Sequence, residues 1–570
     1  MLKSLYDICL TVAVTDCVSV CKYKFCKKEF RALPNHILFD FYYKMYLEKR
    51  LCLLAVEFNE LDVFIRMLQV KHKRTKLLKS FQALIDHGTN VPEMLIKKYV
   101  ARCNTVDSSD TNINIGLKLG TFFNESGLFH YSIIVLNITE SVCKKQPRDV
   151  TTLRRLLDCY HKRIYAEATY CEFKEAAETF NSTVAIIEEL KALDALPNLA
   201  GLYSNFSYLH FIRSEYEKEY DWSQKALALL TEDLPSRIII DVLRQASKAC
   251  VLKRKFNKAG LLIRQAVTLA SELYLEDGHP YFADALTDYA FYLLNSDSVQ
   301  ESVKVYDKAL SIKKEVFEKN NIHVALGHED LAYALYVNEY SSGRFYHARE
   351  NAERSIRIME RILPKDHHLL ASVKRVKALI LEEIALDEQG NMYLQLQYLE
   401  EAEQLHRAAL ALSQKSFGED NVQTAKHYGN LGRLYQSMKM YDEAERMHVK
   451  AIMIKEELLG KDDYEVGLST GHLASLYNYH MKRYRDAEKL YLRSLEINLR
   501  LFGEAYSGLE YDYRGLVNVY AKLLEHEGVI NYSLKMTEWQ RLREEPKSPE
   551  QNLEPQPLKQ ILENYFNSME

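Results

Sequence analysis

The sequence has 570 residues, a formal net charge of −4 and 27% charged residues. The charge balance excludes general binding to nucleic acid, which requires a basic surface. Glycine (20) and proline (11) are scarce, as in long helical proteins, and no apolar run reaches the roughly 18 residues that a membrane span requires.

The cysteines bear on the compartment of the protein. All 10 lie at or before Cys250, and in a secreted protein they would imply disulfides and a signal peptide. The apolar segment 5–20 raises that alternative, but Asp7 and Asp16 interrupt it and no clear cleavage pattern of small residues follows. We therefore expect free thiols in a cytosolic protein.

Residues 1–50 lie outside the repeats described below, and their first segment predicts a helix. Leu5, Cys9 and Ala13 are spaced four apart, which places them on one helical stripe. One interpretation is a helix that caps a repeat array. The other is a resemblance, because Ser4-Leu5-x-x-x-Cys9-x-x-x-Ala13 matches the elongin-binding box, S/T-L-x-x-x-C-x-x-x-A/I/L/V. That resemblance implies that Leu5 enters a pocket of elongin C and that the small Cys9 allows close helix approach.

A second short motif follows the first. The segment ALPNHI at residues 32–37 resembles the cullin-2 box, which usually lies downstream of an elongin box. Pro34 suits the first turn of a helix, where no backbone donor is lost. The resemblance implies that Leu33, Pro34 and Ile37 contact a cullin. The two boxes make residues 1–50 a predicted partner-binding region.

Cys17, Cys21 and Cys26, with His36 as fourth ligand, raise the alternative of a zinc site. Their spacing is Cys-x3-Cys-x4-Cys, whereas structural zinc sites more often use tight Cys-x2-Cys pairs in loops. We favour unligated thiols and expect neither a metal nor a cofactor.

Residues 51–114 are predicted to form a helical connector. The segments LDVFIRMLQV and LLKSFQALIDHG are rich in aromatic and aliphatic residues, which would join the N-terminal boxes to the repeats. The polar run 105–114 lacks helical periodicity and is predicted to be a loop.

Residues 115–530 contain an internal repeat of about 42 residues. In HYGNLGRLYQSMKMYDEAERMHVKAI, residues 427–452, Leu431, Leu434 and Tyr435 share one helical face, and a turn at Met440 leads into a second helix. The copies align on the residue that opens each second helix. Those residues are Phe129, Phe173, Tyr216, Phe256, Val299, Phe345, Leu399, Tyr441 and Tyr484.

Small residues keep the same register. Three positions after most of these residues stands Ala or Ser, with Glu219 as the exception. Small residues let two helices approach closely, and one helix pair must stack on its neighbours to bury its apolar face. The pattern resembles the tetratricopeptide family, and its long period resembles the kinesin light chain variety. The sequence therefore predicts an all-α tetratricopeptide-repeat solenoid, with an insertion at residues 387–392.

The composition changes at residue 544. EEPKSPEQNLEPQP is proline-rich and charged, which predicts a disordered tail over residues 544–570. Within it, LKQILENYF at residues 558–566 has amphipathic spacing for one or two helical turns. Its role is left open.

No catalytic motif stands out. The sequence lacks a Gly-rich phosphate loop and a nucleophile elbow, and His328-Glu329-Asp330 is not a zincin motif because Ala332 replaces the second His. We therefore expect a binding protein and not an enzyme.

The predicted groove offers candidate ligand contacts. In tetratricopeptide arrays the first helices line the concave surface, and the residue before the register Leu points into it. By that resemblance the groove residues here are Asp288, Asp330, Asn430 and His472, and Asn430 corresponds to the Asn that bonds an extended peptide in kinesin light chain repeats.

Charge along the groove predicts two subsites. An acidic cluster on two adjacent repeats suits a ligand Arg or Lys, and the pair Asp288 and Asp330 is predicted to take it. The cations of the later repeats suit a carboxylate. The alternative is that these residues only solvate an exposed face. The acidic cluster is Asp284, Asp288, Glu329 and Asp330, and the later residues are Lys426, Arg433, Tyr435 and Arg514.

Long segments resemble one family more closely. LPNHILFDFYYKMY, HEDLAYALYVNEYSSGRF and AKHYGNLGRLYQSM are among segments spread over residues 33–520 that resemble substrate receptors of elongin B/C–cullin-2 RING ubiquitin ligases. The resemblance implies capture of C-terminal degrons of the Arg-x-x-Gly type for ubiquitination and proteasomal degradation. It implies elongin B/C, cullin-2 and its RING subunit as partners, and links to the amyloid precursor protein tail and microtubules. The implied location is cytoplasmic, with nuclear, cytoskeletal and peripheral membrane association.

A kinesin light chain-like cargo adaptor is the alternative, linking membrane-protein tails to microtubule transport. Such an adaptor has no need of the N-terminal boxes, and no heptad pattern is sustained over three heptads for a motor chain. The substrates and a homodimer stay open.

Overall fold

A computed structural model gives the fold over most of the chain. The residues it describes are 4–16, 30–105, 109–275, 278–339, 343–388, 390–544 and 554–567. These residues form α-helices and connecting turns, with one 3-10 turn at Lys71–Lys73 and no strand among them. The expected all-α class is confirmed. Cys17, Cys21 and Cys26, the three cysteines of the zinc alternative, lie outside the described residues.

Among the described residues, six helices precede the repeats. Leu38, Phe41 and Phe64 are among the fully buried residues of a core that also takes in the start of the array. The connector is therefore packed against the array. The six helices are α1 (Leu5–Asp16), α2 (Asn35–Leu47), α3 (Leu51–Phe58), α4 (Leu61–Leu68), α5 (Arg74–Asp86) and α6 (Val91–Thr105).

Ten helix pairs follow among the described residues, which confirms the predicted solenoid. They are α7 (Ser109–Glu125), α8 (Phe129–Lys144), α9 (Val150–Thr169), α10 (Phe173–Ala192), α11 (Ala200–Ile212), α12 (Tyr216–Ala228), α13 (Ser236–Leu252), α14 (Phe256–Tyr274), α15 (Pro280–Asn295), α16 (Val299–Phe317), α17 (Ile322–Glu339), α18 (Tyr346–Ile362), α19 (Leu369–Asp387), α20 (Met392–Phe417), α21 (Val422–Ser437), α22 (Tyr441–Leu459), α23 (Tyr464–Tyr479), α24 (Tyr484–Phe502), α25 (Leu509–Lys522) and α26 (His526–Glu544).

The predicted repeat register matches the packing within a pair. In α21 and α22 the turn passes through Lys439 at φ 63°, and Met440 caps the second helix. Ala444 and Ala451 are fully buried, as expected where two backbones approach closely. Glu219, the exception to the small-residue register, is also buried, and its carboxylate accepts a hydrogen bond from Gln245 at 3.3 Å.

The array winds back onto itself. Asn321 donates to the carbonyl of Ser126 at 2.8 Å, and Gln423 donates to the Ser214 hydroxyl at 2.8 Å. These partners are 195 and 209 residues apart, so about five repeats complete one turn of the coil. First helices of consecutive pairs contact each other, which places them on the inner side of the coil.

Two expectations about irregular segments need correction. The predicted loop 105–114 is wrong from residue 109 onward, because α7 begins at Ser109. Its polar residues have partners in the fold: Asp110 pairs with Arg155 at 2.5 Å, and the Asn112 side chain accepts from Arg102 at 3.1 Å. The insertion at residues 387–392 does separate α19 from α20, but most of the extra length is helical, because α20 has 26 residues.

The predicted disordered tail is wrong for its last part. Residues 558–567 form a further helix, α27 (Leu558–Asn567), which packs on α12 to α14 with Ile561 fully buried. The Gln265 side chain holds the preceding non-helical segment by donating to the Glu554 carbonyl and accepting from the Gln556 amide. Such a contact, more than 280 residues along the chain, has no local sequence signal. Residues 545–553 lie outside the described part of the chain.

Candidate functional site

The first helix presents apolar side chains to solvent. Leu5 is 78% exposed, Val12 54% and Ile8 46%, and Cys9 is also exposed. The opposite side of α1 rests on α2 through the buried Val14. Of the three residues predicted to bind elongin, Leu5 and Cys9 are therefore accessible, whereas Ala13 is half-buried.

The start of α1 is held by its own capping residue. Ser4 accepts a hydrogen bond from the Asp7 amide at 3.1 Å, and its hydroxyl donates to the Asp7 carboxylate at 2.7 Å. A polar side chain at this position satisfies a free backbone donor of the first turn. Tyr6 donates to Asp40 of α2 at 3.0 Å, which fixes the orientation of α1 on the connector.

The turn that contains the second motif is held in place by hydrogen bonds from α4. Arg66 of α4 donates to the carbonyls of Arg31 and Leu33, both at 2.5 Å, and to the Asn35 side chain at 2.7 Å. Pro34 is exposed at the N-cap of α2. Leu33 and Ile37 are half-buried beside it, so the three residues predicted to meet a cullin lie together on one firm turn.

On the inner face, part of the predicted acidic cluster is already neutralised by the fold. The Asp288 carboxylate lies 2.7 Å from Arg244 Nε and 3.3 Å from Lys248 Nζ. Asp284 lies 3.1 Å from Lys313 Nζ. Burial would raise the pKa of Asp284, but the cations outweigh it and hold that pKa at about 2.

The other two acidic residues differ. Glu329 and Asp330 form no ion pair with any described residue. Burial raises the pKa of Glu329 to about 7, with Asp330 adding to the shift, and burial raises the pKa of Asp330 to about 6. The Ser372 hydrogen bond and Arg375 oppose the pKa shift at Glu329, and Lys313 and Lys248 oppose it at Asp330, so both carboxyls ionise only around pH 6 to 7.

The predicted cationic subsite is largely engaged within the fold. Arg433 donates to Glu382 at 2.9 Å and to Glu383 at 3.3 Å, so its charge is compensated. Lys426 pairs with Glu465 at 3.0 Å. Arg514 stays 66% exposed beside Glu510.

Two uncharged positions complete the predicted set. Asn430 is half-buried on α21. The His472 ring lies 6.1 Å from the His448 ring, and burial lowers the pKa of His472 far enough to keep it neutral at pH 7. The structure thus places Asn430 and His472 on neighbouring first helices and leaves Arg514 at the next.

Our sequence analysis missed the cations that form ion pairs with the acidic residues. Arg244, Lys248 and Lys313 hold Asp284 and Asp288. A usable signal was present, because Arg244 lies 44 residues before Asp288, close to one repeat period. Opposite charges one repeat apart indicate a pair between stacked first helices.

Comparisons with known proteins agree with the fold. Two family models described as tetratricopeptide repeat match residues 381–457 and 467–505. Amyloid protein-binding protein 2 of Mus musculus is 45% identical over 574 residues, covering 99% of this chain and 97% of the relative. The protein of the same name from Rattus norvegicus is 45% identical over 576 residues, with the same coverage.

Solved structures with partial similarity to this chain include the following two. BtubC of P. vanneervenii has a TM-score of 0.34 and 15% identity, covering 45% of this chain and 96% of its own. A Rap protein complexed with competence and sporulation factor has a TM-score of 0.36 and 13% identity, covering 73% of this chain and 99% of its own. No helix among the described residues is long and apolar enough to cross a membrane.

Proposed function

The chain belongs to the amyloid protein-binding protein 2 family, and from that premise we propose that it is the substrate-recognition subunit of an elongin B/C–cullin-2 RING ubiquitin ligase. Its tetratricopeptide array is a protein-interaction module, and such arrays typically act as non-catalytic scaffolds. The observation that carries the proposal is the exposed apolar face of α1. Leu5 and Cys9 lie on it at the spacing of the elongin-binding box.

The exposure of Leu5 and Cys9 favours a protein partner that buries them. A leucine that is 78% exposed leaves apolar area in water, and burying such a side chain in a pocket contributes about 1.5–3 kcal/mol. The cullin contact would follow at the clamped turn of Leu33 and Pro34. Because Tyr6 ties α1 to α2, one rigid edge would present both contacts.

Substrate capture would occur on the inner face. Asp288 is compensated by Arg244 and Lys248, so we assign the degron Arg to Glu329 and Asp330 instead of to the pair Asp288 and Asp330. A partly desolvated carboxylate that makes no direct ion pair is a strong site for guanidinium, which can bond it through two parallel N–H groups. Asn430, His472 and Arg514 stay predicted contacts for the remainder of the peptide.

The mechanism is positional. The array holds the C-terminal peptide of the substrate, while the N-terminal edge holds the ligase subunits in the cytoplasm. The link raises the effective concentration of substrate lysines near the charged ubiquitin-conjugating enzyme. No residue of this chain needs to take part in the bond-forming step.

We expect elongin B/C to co-purify with the intact chain and to be lost from Leu5→Ser combined with Cys9→Asp. The change removes the inserted side chain and places a charge in the helix contact, so affinity should fall about a hundredfold or more. Leu524→Ser with Leu534→Asp is the matched control, because these leucines of the last repeat are 77% and 64% exposed. If the folded intact chain captures no elongin B/C, the ligase proposal fails and the cargo adaptor is favoured.

We expect a peptide ending in an Arg-x-x-Gly motif to bind more tightly as pH rises from 5 to 8. The pKa values of about 7 for Glu329 and about 6 for Asp330 mean that both carboxyls ionise over this range and gain attraction for the peptide Arg. Isosteric Glu329→Gln with Asp330→Asn should weaken binding about tenfold or more at pH 8 and flatten the pH profile.

The control for this experiment neutralises two exposed acids elsewhere. Asp62→Asn with Glu217→Gln changes side chains that are 82% and 78% exposed and should leave the affinity and its pH profile unchanged. A peptide with citrulline in place of Arg should lose the pH dependence in the unmodified chain. An unchanged dissociation constant in the Glu329 and Asp330 variant would refute their role and leave the elongin proposal standing.

A further inference from the structure

A cavity of about 420 Å³ opens between the end of α16, the start of α17 and α18. Five cationic side chains line it, against the single carboxylate of Glu318. The cations are Lys314, Lys319, Arg354, Arg357 and Arg361. No other function described above uses this cavity.

Most of this positive charge is not compensated by the fold. Arg354 pairs with Glu350 at 2.6 Å, and Arg361 donates to the Asn320 side chain at 3.3 Å. In the described part of the chain, Lys314, Lys319 and Arg357 pair with no carboxylate. Elsewhere along the array, charged side chains are commonly paired, so the excess of cations at one cavity is a local feature.

The cavity has a firm apolar floor. Val324 is 1% exposed and Ile358 is half-buried. The buried His328 ring is fixed by a 2.7 Å contact between Nδ1 and Asn351, and burial lowers its pKa, so it closes the floor as a neutral group. Glu318, which also lines the cavity, is the C-cap of α16 and has φ 52°, a positive φ that also occurs at other turns between helices of this chain, such as Lys439.

We propose that this cavity binds a small, multiply phosphorylated anion of the inositol phosphate class. Guanidinium and ammonium groups form strong charge-assisted hydrogen bonds with phosphate oxygens, and the volume lies in the usual range for small-molecule sites. An acidic peptide spreads its charges along an extended chain, at about 3.3 Å per residue. Five cations around one cavity suit a compact anion better.

Binding there would reinforce the closure of the coil. Asn320 lies at the rim and also donates to Asp86 of α5 at 2.9 Å, while its neighbour Asn321 contacts Gln82 and Ser126. An anion that bridges α16 and α18 holds this turn against α5. A ligand that binds only the folded chain raises its unfolding temperature.

Titration calorimetry of the full-length chain with inositol hexakisphosphate tests the proposal. The variant Lys314→Glu with Arg357→Glu reverses two of the three unpaired cations, and we expect it to weaken binding at least about tenfold. The matched control is Lys97→Glu with Lys304→Glu, which has the same change in net charge at side chains that are 72% and 70% exposed. A parallel arm uses phosphatidylcholine vesicles containing phosphatidylinositol bisphosphate.

Each outcome bears on the proposal. Binding of the soluble probe that is lost in the cavity variant and kept in the control supports it, with a free anion as ligand. Binding confined to the vesicles, with the same dependence on the two variants, supports it with a lipid headgroup as the source. No binding in either arm, equal loss in both variants, or tighter binding of a poly-glutamate peptide than of either phosphate probe overturns it.

Discussion

Arg433→Met should lower the free energy of unfolding by about 3–5 kcal/mol, the usual result of leaving a buried charge without its partner. Arg433 joins α21 to Glu382 and Glu383 of α19, and it also donates to the Tyr336 hydroxyl at 3.2 Å. Glu382 is 1% exposed, so water cannot replace the lost guanidinium. Denaturant unfolding followed by circular dichroism measures the change.

The loss should depend on pH in a defined direction. Burial raises the pKa of Glu383 to about 7 even with Arg433 present, and removing the cation raises it further. A carboxyl whose folded pKa lies above its unfolded value costs stability as pH rises. The difference between Arg433→Met and the unmodified chain should therefore be largest above pH 7 and shrink toward pH 5.

Two further variants test the cause. Arg407→Met removes a 62% exposed cation that pairs with Glu403 within one helix, and should cost at most about 0.5 kcal/mol. Adding Glu382→Gln and Glu383→Gln to Arg433→Met should restore part of the lost stability by removing the uncompensated charge. A loss in Arg433→Met no larger than that in Arg407→Met would show that the ion pairs between α19 and α21 do not support the array.

The repeat register could be predicted from the sequence because each helix pair is a local structure. Ala444, Ala487 and their counterparts are buried where the period places them, and the turn before Tyr441 requires only one residue with positive φ. Local periodicity was also misleading in one place. The polar stretch at Asn112 is helical because Arg102 and the Tyr99 hydroxyl bond it, and tertiary contacts override a weak local pattern.

The closure of the coil could not be predicted from the sequence. The contact of Asn321 with Ser126 depends on the rotations summed over the repeats between them, and a small change per repeat moves such partners far apart. The docking of α27 could not be predicted for the same reason: Tyr565 contacts Gln224 and Cys250, which are remote from it in the sequence. Sequence patterns indicate which residues share a helix face, but they do not indicate which surface of the array a distant helix packs against.

The candidate site was predictable in position more than in chemistry. Asp284, Asp288, Glu329 and Asp330 do lie on the first helices of adjacent pairs. Their ionisation is set by neighbours on other helices, since Lys313 lowers the pKa of Asp284 while burial raises that of Glu329. A groove residue can be identified from the register, but its free charge is known only once its partners are known.

Phe122→Ala should also cost about 3–5 kcal/mol, the usual range for removing a large aromatic side chain from a core. The Phe122 ring lies 4.9 Å from the Phe81 ring of α5 and 5.2 Å from the Phe64 ring of α4. It is fully buried where the connector meets the first repeat. Phe122→Leu keeps most of the volume and should cost less, about 1 kcal/mol.

Where Phe122→Ala loosens the structure is more informative than how much stability it costs. In a solenoid each repeat contacts mainly its neighbours, so damage stays local. Phe122, however, packs against α5, and α5 also holds Asn321 at the start of the second turn through Gln82. Hydrogen exchange in Phe122→Ala should therefore quicken in α4, α5 and α7, and again near residues 320–324, with residues 441–502 unchanged.

The pattern of exchange distinguishes a closed coil from an open one. If quickened exchange stops at the first repeats and residues 320–324 stay protected, the contact between successive turns does not depend on the connector. If both regions respond together, α5 holds the N-terminal edge and the second turn in one unit. The distance between α1 and the inner face is then fixed by the fold, which is the geometry that the proposed receptor role requires to hold a substrate at a set distance from the ligase subunits.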